Sequence, residues 1–498
     1  MAADVPVVAP RPVGLSDAAG TLVPVMEPAL LARRRNGLPS ARAASGPLGR
    51  RVLLNPWTWV FVVMTGVYAA CLAWQYQLVI QPVAVEGGEV PGLNWQAVRD
   101  SAKLAFPTLA IWVVLLVWLD RFRPQRPLFW WLALGWGGSV STAASIVLNT
   151  WASEQMNIAG GPDPYRGARA AIFVAPFVEE ATKASVLFLI ALAYRYRLVS
   201  KLSGVVLAAL SAAGFAFTEN IIYYARAIVY SSYDINVGDP EAALNRLVLM
   251  RGYLLAFGHP LFTMMVGIGL VVGVRAHSKV VRVLAPLVGY LAAALLHMLF
   301  NTGATFLQSE TQQLLVYFLV VLPLVLSAVV WVVRQLFVEG RRHRDRLADF
   351  ARFGWLTDAD VHVFARQRSR WRAAMIAASR GWRCLAATLR LQRAVTELVY
   401  LRDAQVRGTI DAAGDHRARE LLDEIALLRP QAVDDPRRAR VALPDVRGML
   451  RRAREGLRLR RRRTMPELQP FPQATTGAAP VGSPQYSPVD PRWGPPRP

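Results

Sequence analysis

Cysteine is almost missing from this sequence. There are two in 498 residues, Cys71 and Cys384. One falls in an apolar run and the other in a polar tail, which excludes a disulfide framework. Lysine is nearly as scarce, at Lys103, Lys183, Lys201 and Lys279 only. Charged residues of all kinds make up 18% of the chain and are concentrated toward its two ends. The long runs between them lack the strict alternation of an outer-membrane barrel. Residues 1–30 lack a basic start followed by an apolar core, so the first apolar helix is expected to insert as its own anchor.

What remains is apolar. The chain is 54% hydrophobic and holds eight candidate spans: 57–75, 104–119, 128–149, 170–193, 203–225, 252–274, 283–300 and 314–333. Most reach the roughly 20 residues that a hydrocarbon core of about 30 Å requires of a helix. The expected fold is all-α, a polytopic membrane bundle of about eight transmembrane helices with a basic helical cytoplasmic tail. Loops 120–127, 194–202 and 275–282 carry nine Lys/Arg in 25 residues, against seven in 87 residues of the opposite loops. That bias predicts a multi-pass plasma-membrane protein with both termini cytoplasmic. The net charge of +23 lies next to the spans, where it sets topology and attracts anionic lipid, so nucleic acid is not an expected partner.

The expected layout is a disordered segment 1–50, a membrane domain 51–340, an Arg-rich helical region 341–465 and a disordered Pro-rich tail 466–498. In the Arg-rich region, Thr357 followed by Asp360 predicts a helix start, and Leu391, Val395 and Leu398 share one face. The run 451–463, "RRAREGLRLRRRR", predicts electrostatic contact with anionic lipid at the cytoplasmic face.

The spans contain few ionisable residues: Glu179, Glu180, Lys183 and Glu219, together with His259 and His297. Four charges at mid-bilayer would cost about 10 kcal/mol unless they pair or face water, comparable to a whole domain's stability. Their depths agree. Glu179 and Glu180 lie about 15 Å from the outer end of their span, Glu219 about 9 Å and His259 about 10 Å. A shared site in the outer half is therefore expected. Glu179 and Lys183 stack at i,i+4 while Glu180 points about 100° away, which predicts Glu179 as the neutralised carboxylate and Glu180 as the general base. Each histidine has a polar residue at i+4, Thr263 and Asn301, and such a pair can donate to a developing oxyanion.

Taken in order, Glu179-Glu180-x-x-Lys183, Phe215-x-x-x-Glu219-Asn220, His259-x-x-x-Thr263 and His297-x-x-x-Asn301 resemble the four motifs of the PrsW family, intramembrane endopeptidases related to the CAAX prenyl proteases. The resemblance covers residues 170–301. It implies an intramembrane protease of glutamate or metallo type acting on a membrane-protein substrate, an anti-sigma factor being the best-known type. The implied catalytic set is Glu179, Glu180, Lys183, Glu219, Asn220, His259, His297 and Asn301. One implied mechanism holds zinc through His259, His297 and Glu180. The other polarises water with a glutamate and a histidine without metal, Asn301 binding the oxyanion. No His-Glu-x-x-His signature occurs to decide between them.

Taken singly, each motif has a plainer reading. An intramembrane Glu–Lys pair commonly serves as structural glue, and Asn220 and Thr263 as interhelical hydrogen-bond partners. Tyr223 and Tyr224 read as interface residues, and His277, His343, His362 and His416 as solvated. Two other classes compete with the protease: a proton-coupled transporter, which keeps buried Glu and His but often shows internal repeats, and a non-catalytic membrane scaffold.

Overall fold

The computed structural model describes residues 48–85, 88–120, 127–155, 166–194, 198, 200–230, 239–307, 309–407 and 412–440. The expectations for 1–47, for the polybasic run 451–463 and for the Pro-rich tail lie outside the described residues. The elements are α1 (Leu48–Leu53), α2 (Pro56–Val79), β1 (Val83–Val85), β2 (Gly88–Val90), α3 (Trp95–Leu119), α4 (Pro127–Gly135), α5 (Thr142–Gln155), α6 (Arg166–Phe173), α7 (Ala175–Tyr194), α8 (Lys201–Tyr230), α9 (Pro240–Leu247), α10 (Gly258–Val274), α11 (Lys279–Phe306), α12 (Glu310–Val316) and α13 (Leu322–Arg352). They are followed by α14 (Asp358–Ala365), α15 (Gln367–Ser379), α16 (Trp382–Val406) and α17 (Ala412–Leu428). Short π-helical turns join α4 to α5, follow α9, and join α12 to α13. Among the described residues the bundle is all-helical apart from the antiparallel β1–β2 hairpin, which decorates the loop between α2 and α3.

Among the described residues, seven helical stretches are long and apolar enough to cross a membrane: 56–79, 95–119, 127–152, 201–230, 240–274, 279–306 and 311–352. The eighth expected span forms α7. Its 20 residues include Glu179, Glu180 and Lys183, so composition alone does not mark it as a span. Its charged residues point inward among apolar ones such as Leu187 and Ile190, and its outward side chains are apolar: Glu180 and Lys183 are 0% exposed, whereas Leu192 is 84% exposed. This inverted amphipathicity suits a helix that faces hydrocarbon on one side and a polar interior on the other. The expected span 104–119 was nine residues too short. The helix begins at Trp95, capped by the Asn94 side chain on Ala97 N, and carries Arg99, Asp100 and Lys103 in polar early turns. Gln96 and Lys103 both donate to Asp100 there, so the first turns are helical without being apolar.

Small residues let the central helices approach closely. A Cβ on Gly267 of α10 would lie 2.4 Å from the carbonyl oxygen of Gly204 on α8, and one on Gly269 would lie 2.4 Å from that of Ala285 on α11. The π turn Trp136–Ser141 lies equally close to α8, and the carbonyls it frees find donors on neighbouring helices. Thr218 donates to Gly138 O at 2.6 Å and the Gln75 amide to Ser139 O at 2.8 Å.

Beyond the membrane, α13 runs on into a helical module whose core contains Leu347, Phe350, Leu356, Phe364, Leu391, Val395, Leu398, Leu421 and Ile425. The shared face of Leu391, Val395 and Leu398 is buried there. Thr357 and Asp360 form a capping box at the start of α14. Burial alone would raise the Asp360 pKa, but hydrogen bonds from Arg429 and Thr357 outweigh it and hold the carboxyl below its ordinary value. His343 is 1% exposed rather than solvated, because it lies on the inward face of α13 against the Tyr400 ring. Tyr224, read as an interface residue, is likewise fully buried.

The close helix contacts yield a test. Gly267→Val should destabilise the protein by at least 1–3 kcal/mol, the usual cost of overpacking, seen as a lowered thermal midpoint in detergent. Gly66→Ala, with nothing within 4 Å of the added carbon, should leave the midpoint unchanged.

Candidate active site

Four helices carry the polar residues inward. From α7, Lys183 extends its ammonium into the bundle, where Nζ lies 2.7 Å from Glu180 Oε1, 3.5 Å from Glu179 Oε2 and 3.1 Å from His259 Nδ1. It sits 4.3 Å above the Phe215 ring on α8. Glu180 is fully enclosed. Thr263 donates to its Oε2 at 2.7 Å, and His297 Nδ1 lies 3.1 Å from its Oε1. Glu219, from α8, meets His259 Nε2 at 2.8 Å.

These partners fix the proton positions of both rings. Ammonium can only donate, so His259 Nδ1 accepts from Lys183 and its Nε2–H donates to Glu219. Glu180, already held by Lys183 and Thr263, accepts from His297 Nδ1–H, which leaves His297 Nε2 with its lone pair 3.9 Å from Glu179 Oε2. Each histidine is thus oriented by a carboxylate behind it, as ligating histidines are. One atom each from Glu179, His259 and His297 lies within 4.8 Å of the others. Two imidazoles and a carboxylate match a known catalytic zinc donor set, and their ring nitrogens present the unprotonated form that ligation needs, so these residues fit the ion. Lys183 already contacts two of the three donors and would have to give up His259 Nδ1 to a metal while keeping Glu180.

The pairing expected from the spacing is reversed. Lys183 lies closer to Glu180 at i,i+3 than to Glu179 at i,i+4, since both spacings share a helix face. Glu180 is enclosed behind the site, and Glu179 is the carboxylate that stands beside both histidines. A cavity of about 570 Å³ opens in front of them, and its wall includes Glu179, Glu219, Arg251, His259, His297 and Asn301. Glu180 and Lys183 are not part of that wall.

Asn220 and Asn301 are held for other work than expected. The Asn301 amide lines the cavity but donates to the Ala171 carbonyl at 2.7 Å, tying α11 to α6. Asn220 accepts from Arg251 Nε at 3.1 Å, while Arg251 Nη2 donates to Glu219 at 2.8 Å and its guanidinium lies 3.8 Å above the Tyr223 ring. Sequence reasoning placed Arg251 in a loop and missed it. It belongs to the π turn Val248–Leu254, and the extra residue per turn rotates it toward Glu219. Thr108 and Trp112 of α3 hold this stretch, donating to the carbonyls of Gly252 at 2.6 Å and Ala256 at 3.1 Å. The break at 255–257 is therefore satisfied by protein, as backbone at membrane depth requires. The one available signal was an arginine eight residues before His259, at the edge of an apolar run.

Lys183→Ala should destabilise the fold by about 3–5 kcal/mol, because it strands a buried carboxylate. The double change Lys183→Ala, Glu180→Gln should recover most of that loss, and denaturant titration of the wild type, the two single variants and the double measures the recovery. A double variant no more stable than Lys183→Ala would show that the pair is not the structural tie.

Comparison with known families matches residues 125–328 to the family described as PrsW family intramembrane metalloprotease. No curated protein and no solved structure matches the chain. The matched stretch takes in the whole site, from Glu179 to Asn301, and the helices that carry it. Through this membrane core the chain is similar to the PrsW family of intramembrane metalloproteases.

Proposed function

We propose that the protein hydrolyses peptide bonds of membrane-protein substrates at Glu179, His259 and His297, an anti-sigma factor being the substrate type the family suggests. The observation that carries this reading is the division of the two adjacent glutamates. Glu179 stands with both histidines on the wall of a cavity of about 570 Å³, whereas Glu180 is sealed behind it. A hydrolase needs one carboxylate in reach of water and substrate, and others that hold the histidines still.

In this reading Glu179 takes the proton from the attacking water and later passes it to the leaving amine. Glu180 and Glu219 hold His297 and His259 in fixed tautomers, and Lys183 is the ion-pair partner that holds Glu180. Arg251 holds Glu219 in turn and offers a cation on the cavity wall toward a developing oxyanion. In the alternative with metal, Glu179, His259 Nδ1 and His297 Nε2 would hold zinc, Glu179 then serving as ligand in place of general base, and the ion would supply Lewis-acid polarisation of water and carbonyl. These assignments move the metal-binding and general-base roles from Glu180 to Glu179.

Glu179→Gln should lower cleavage of a reconstituted membrane-protein substrate by at least about 100-fold, the scale of general-base catalysis, with thermal stability retained. Chelator treatment followed by zinc decides the metal question: activity lost and restored supports the His–His–Glu ligand set, and unchanged activity supports the metal-free mechanism. Full activity in Glu179→Gln would overturn the assignment, and no cleavage by the wild type would return the transporter and scaffold readings.

We further propose that both termini are cytoplasmic and that the protein resides in the plasma membrane, supported by the concentration of arginine and lysine in alternate loops. Single cysteines introduced near residues 160 and 240 should label from outside intact cells, and one at 198 only after permeabilisation. External labelling at 198 would invert the topology.

A further inference from the structure

Of the three groups that could hold zinc, Lys183 already engages two. Its Nζ lies 3.1 Å from His259 Nδ1 and 3.5 Å from Glu179 Oε2. His259 spends its other nitrogen on Glu219, 2.8 Å away, so Nδ1 is the atom the ring has left to offer. A hydrogen-bond donor and a metal use the same in-plane lone pair of an imidazole. Zinc bonds such a nitrogen at about 2.0–2.1 Å, and on the line from Nδ1 to the lysine that point falls roughly 1 Å short of Nζ. The lysine nitrogen and the ion cannot both be there.

What else holds Lys183 lies behind the site. Nζ is 2.7 Å from Glu180 Oε1 and 4.3 Å above the Phe215 ring, and the side chain is fully buried. The cavity wall includes Glu179, His259 and His297, whereas Lys183, Glu180 and Phe215 are not part of it. An ion that arrives through the cavity therefore reaches the carboxylate and both rings first, with the lysine beyond them. The flexible four-carbon stem of lysine lets Nζ turn from Nδ1 and keep Glu180. The exchange then leaves the buried carboxylate with its partner.

We propose, on the reading that Glu179, His259 and His297 hold the metal, that Lys183 and a divalent cation are alternative occupants of one position. The lysine thereby sets how tightly the site holds metal. Each ion bound must displace a donor that His259 already has, so the wild type holds metal more weakly than the same three groups would without the lysine. Metal entry and the movement of Lys183 from His259 to Glu180 are one event. Loading thus leaves its mark on a side chain that is no ligand.

The test uses the full-length protein in detergent with zinc alone as the probe, its affinity read by competition with a coloured chelator. Three proteins are compared: the wild type, Glu180→Gln, and the double variant Lys183→Ala, Glu180→Gln. The last two differ only at the lysine, and thermal midpoints check that both fold. The double variant should bind zinc at least tenfold more tightly than Glu180→Gln, and adding His259→Ala to it should remove that site. A second readout needs no variant to fold. The chain has only four lysines, and Lys183 is the buried one, whereas Lys103, Lys201 and Lys279 are exposed. Wild-type protein isotopically labelled at the lysine ε-carbon therefore gives a magnetic-resonance signal for Lys183 that a soluble paramagnetic quencher does not reach. Zinc should shift that signal and leave the other three in place. Equal or weaker zinc binding by the folded double variant, or a Lys183 signal unmoved when the wild type is saturated with zinc, would overturn the proposal and leave the His–His–Glu set standing. Zinc bound at this site by none of the three proteins would overturn the ligand set itself, and the proposal with it.

Discussion

A lysine and a glutamate, both 0% exposed and 2.7 Å apart on one turn of α7, set the terms for everything around them. Neither charge tolerates hydrocarbon, and an ion pair that stops at its own Coulomb attraction does not recover the desolvation of both partners. The helix therefore needs further donors and acceptors from outside itself. Thr263 of α10 and His297 of α11 complete Glu180, while His259 of α10 and the Phe215 ring of α8 complete Lys183. Three neighbouring helices are thus recruited by the needs of one. The glycine contacts that let α8, α10 and α11 approach one another bring those short side chains within reach.

The same demand separates the two glutamates into different kinds of group. Side chains that enclose Glu180 also orient His297, and the partners of Glu219 orient His259. Once both rings are fixed, His297 keeps its Nε2 lone pair 3.9 Å from Glu179, and both rings and Glu179 line the cavity. Structural necessity and chemical readiness are arranged in series here: the buried pair holds the carboxylates, the carboxylates hold the rings, and the rings face the cavity. Arg251 extends the series by one member, because it holds the carboxylate that holds His259.

Much of this was legible in the residues. An apolar stretch with three charges must hide them, and the recurrence of polar residues in three later spans said where they go. Which glutamate faces which way was not legible. At i,i+3 and i,i+4 the lysine reaches both carboxylates, and the choice is made by Thr263 and His297, which come from helices far away in sequence. Arg251 escaped for a related reason. Span boundaries are drawn at charges, so a charge at a boundary is read as loop, and only the π turn that rotates it inward reveals its partner. The early turns of α3 were lost the same way, because Arg99, Asp100 and Lys103 ended the apolar run nine residues after the helix had begun. His343 was misjudged because a polar residue in an Arg-rich helix reads as solvated until the module that covers it is known.

The charge at the site bears on what completes it. Three acids, Glu179, Glu180 and Glu219, stand against two basic side chains, Lys183 and Arg251, so full ionisation would leave one negative charge inside a largely apolar bundle. Low dielectric makes an unbalanced charge expensive, so the site has an affinity for positive charge built into it. A proton on Glu179 or on one of the two histidines would neutralise the deficit, and so would a cation seated between them. The metal-free and metal-bound mechanisms are in this sense two ways of meeting one electrostatic requirement. The carboxylates behind the rings suit either: with Nδ1–H of His297 and Nε2–H of His259 committed to Glu180 and Glu219, His297 keeps its Nε2 lone pair 3.9 Å from Glu179, while His259 Nδ1 accepts from Lys183 and would exchange that donor for a cation.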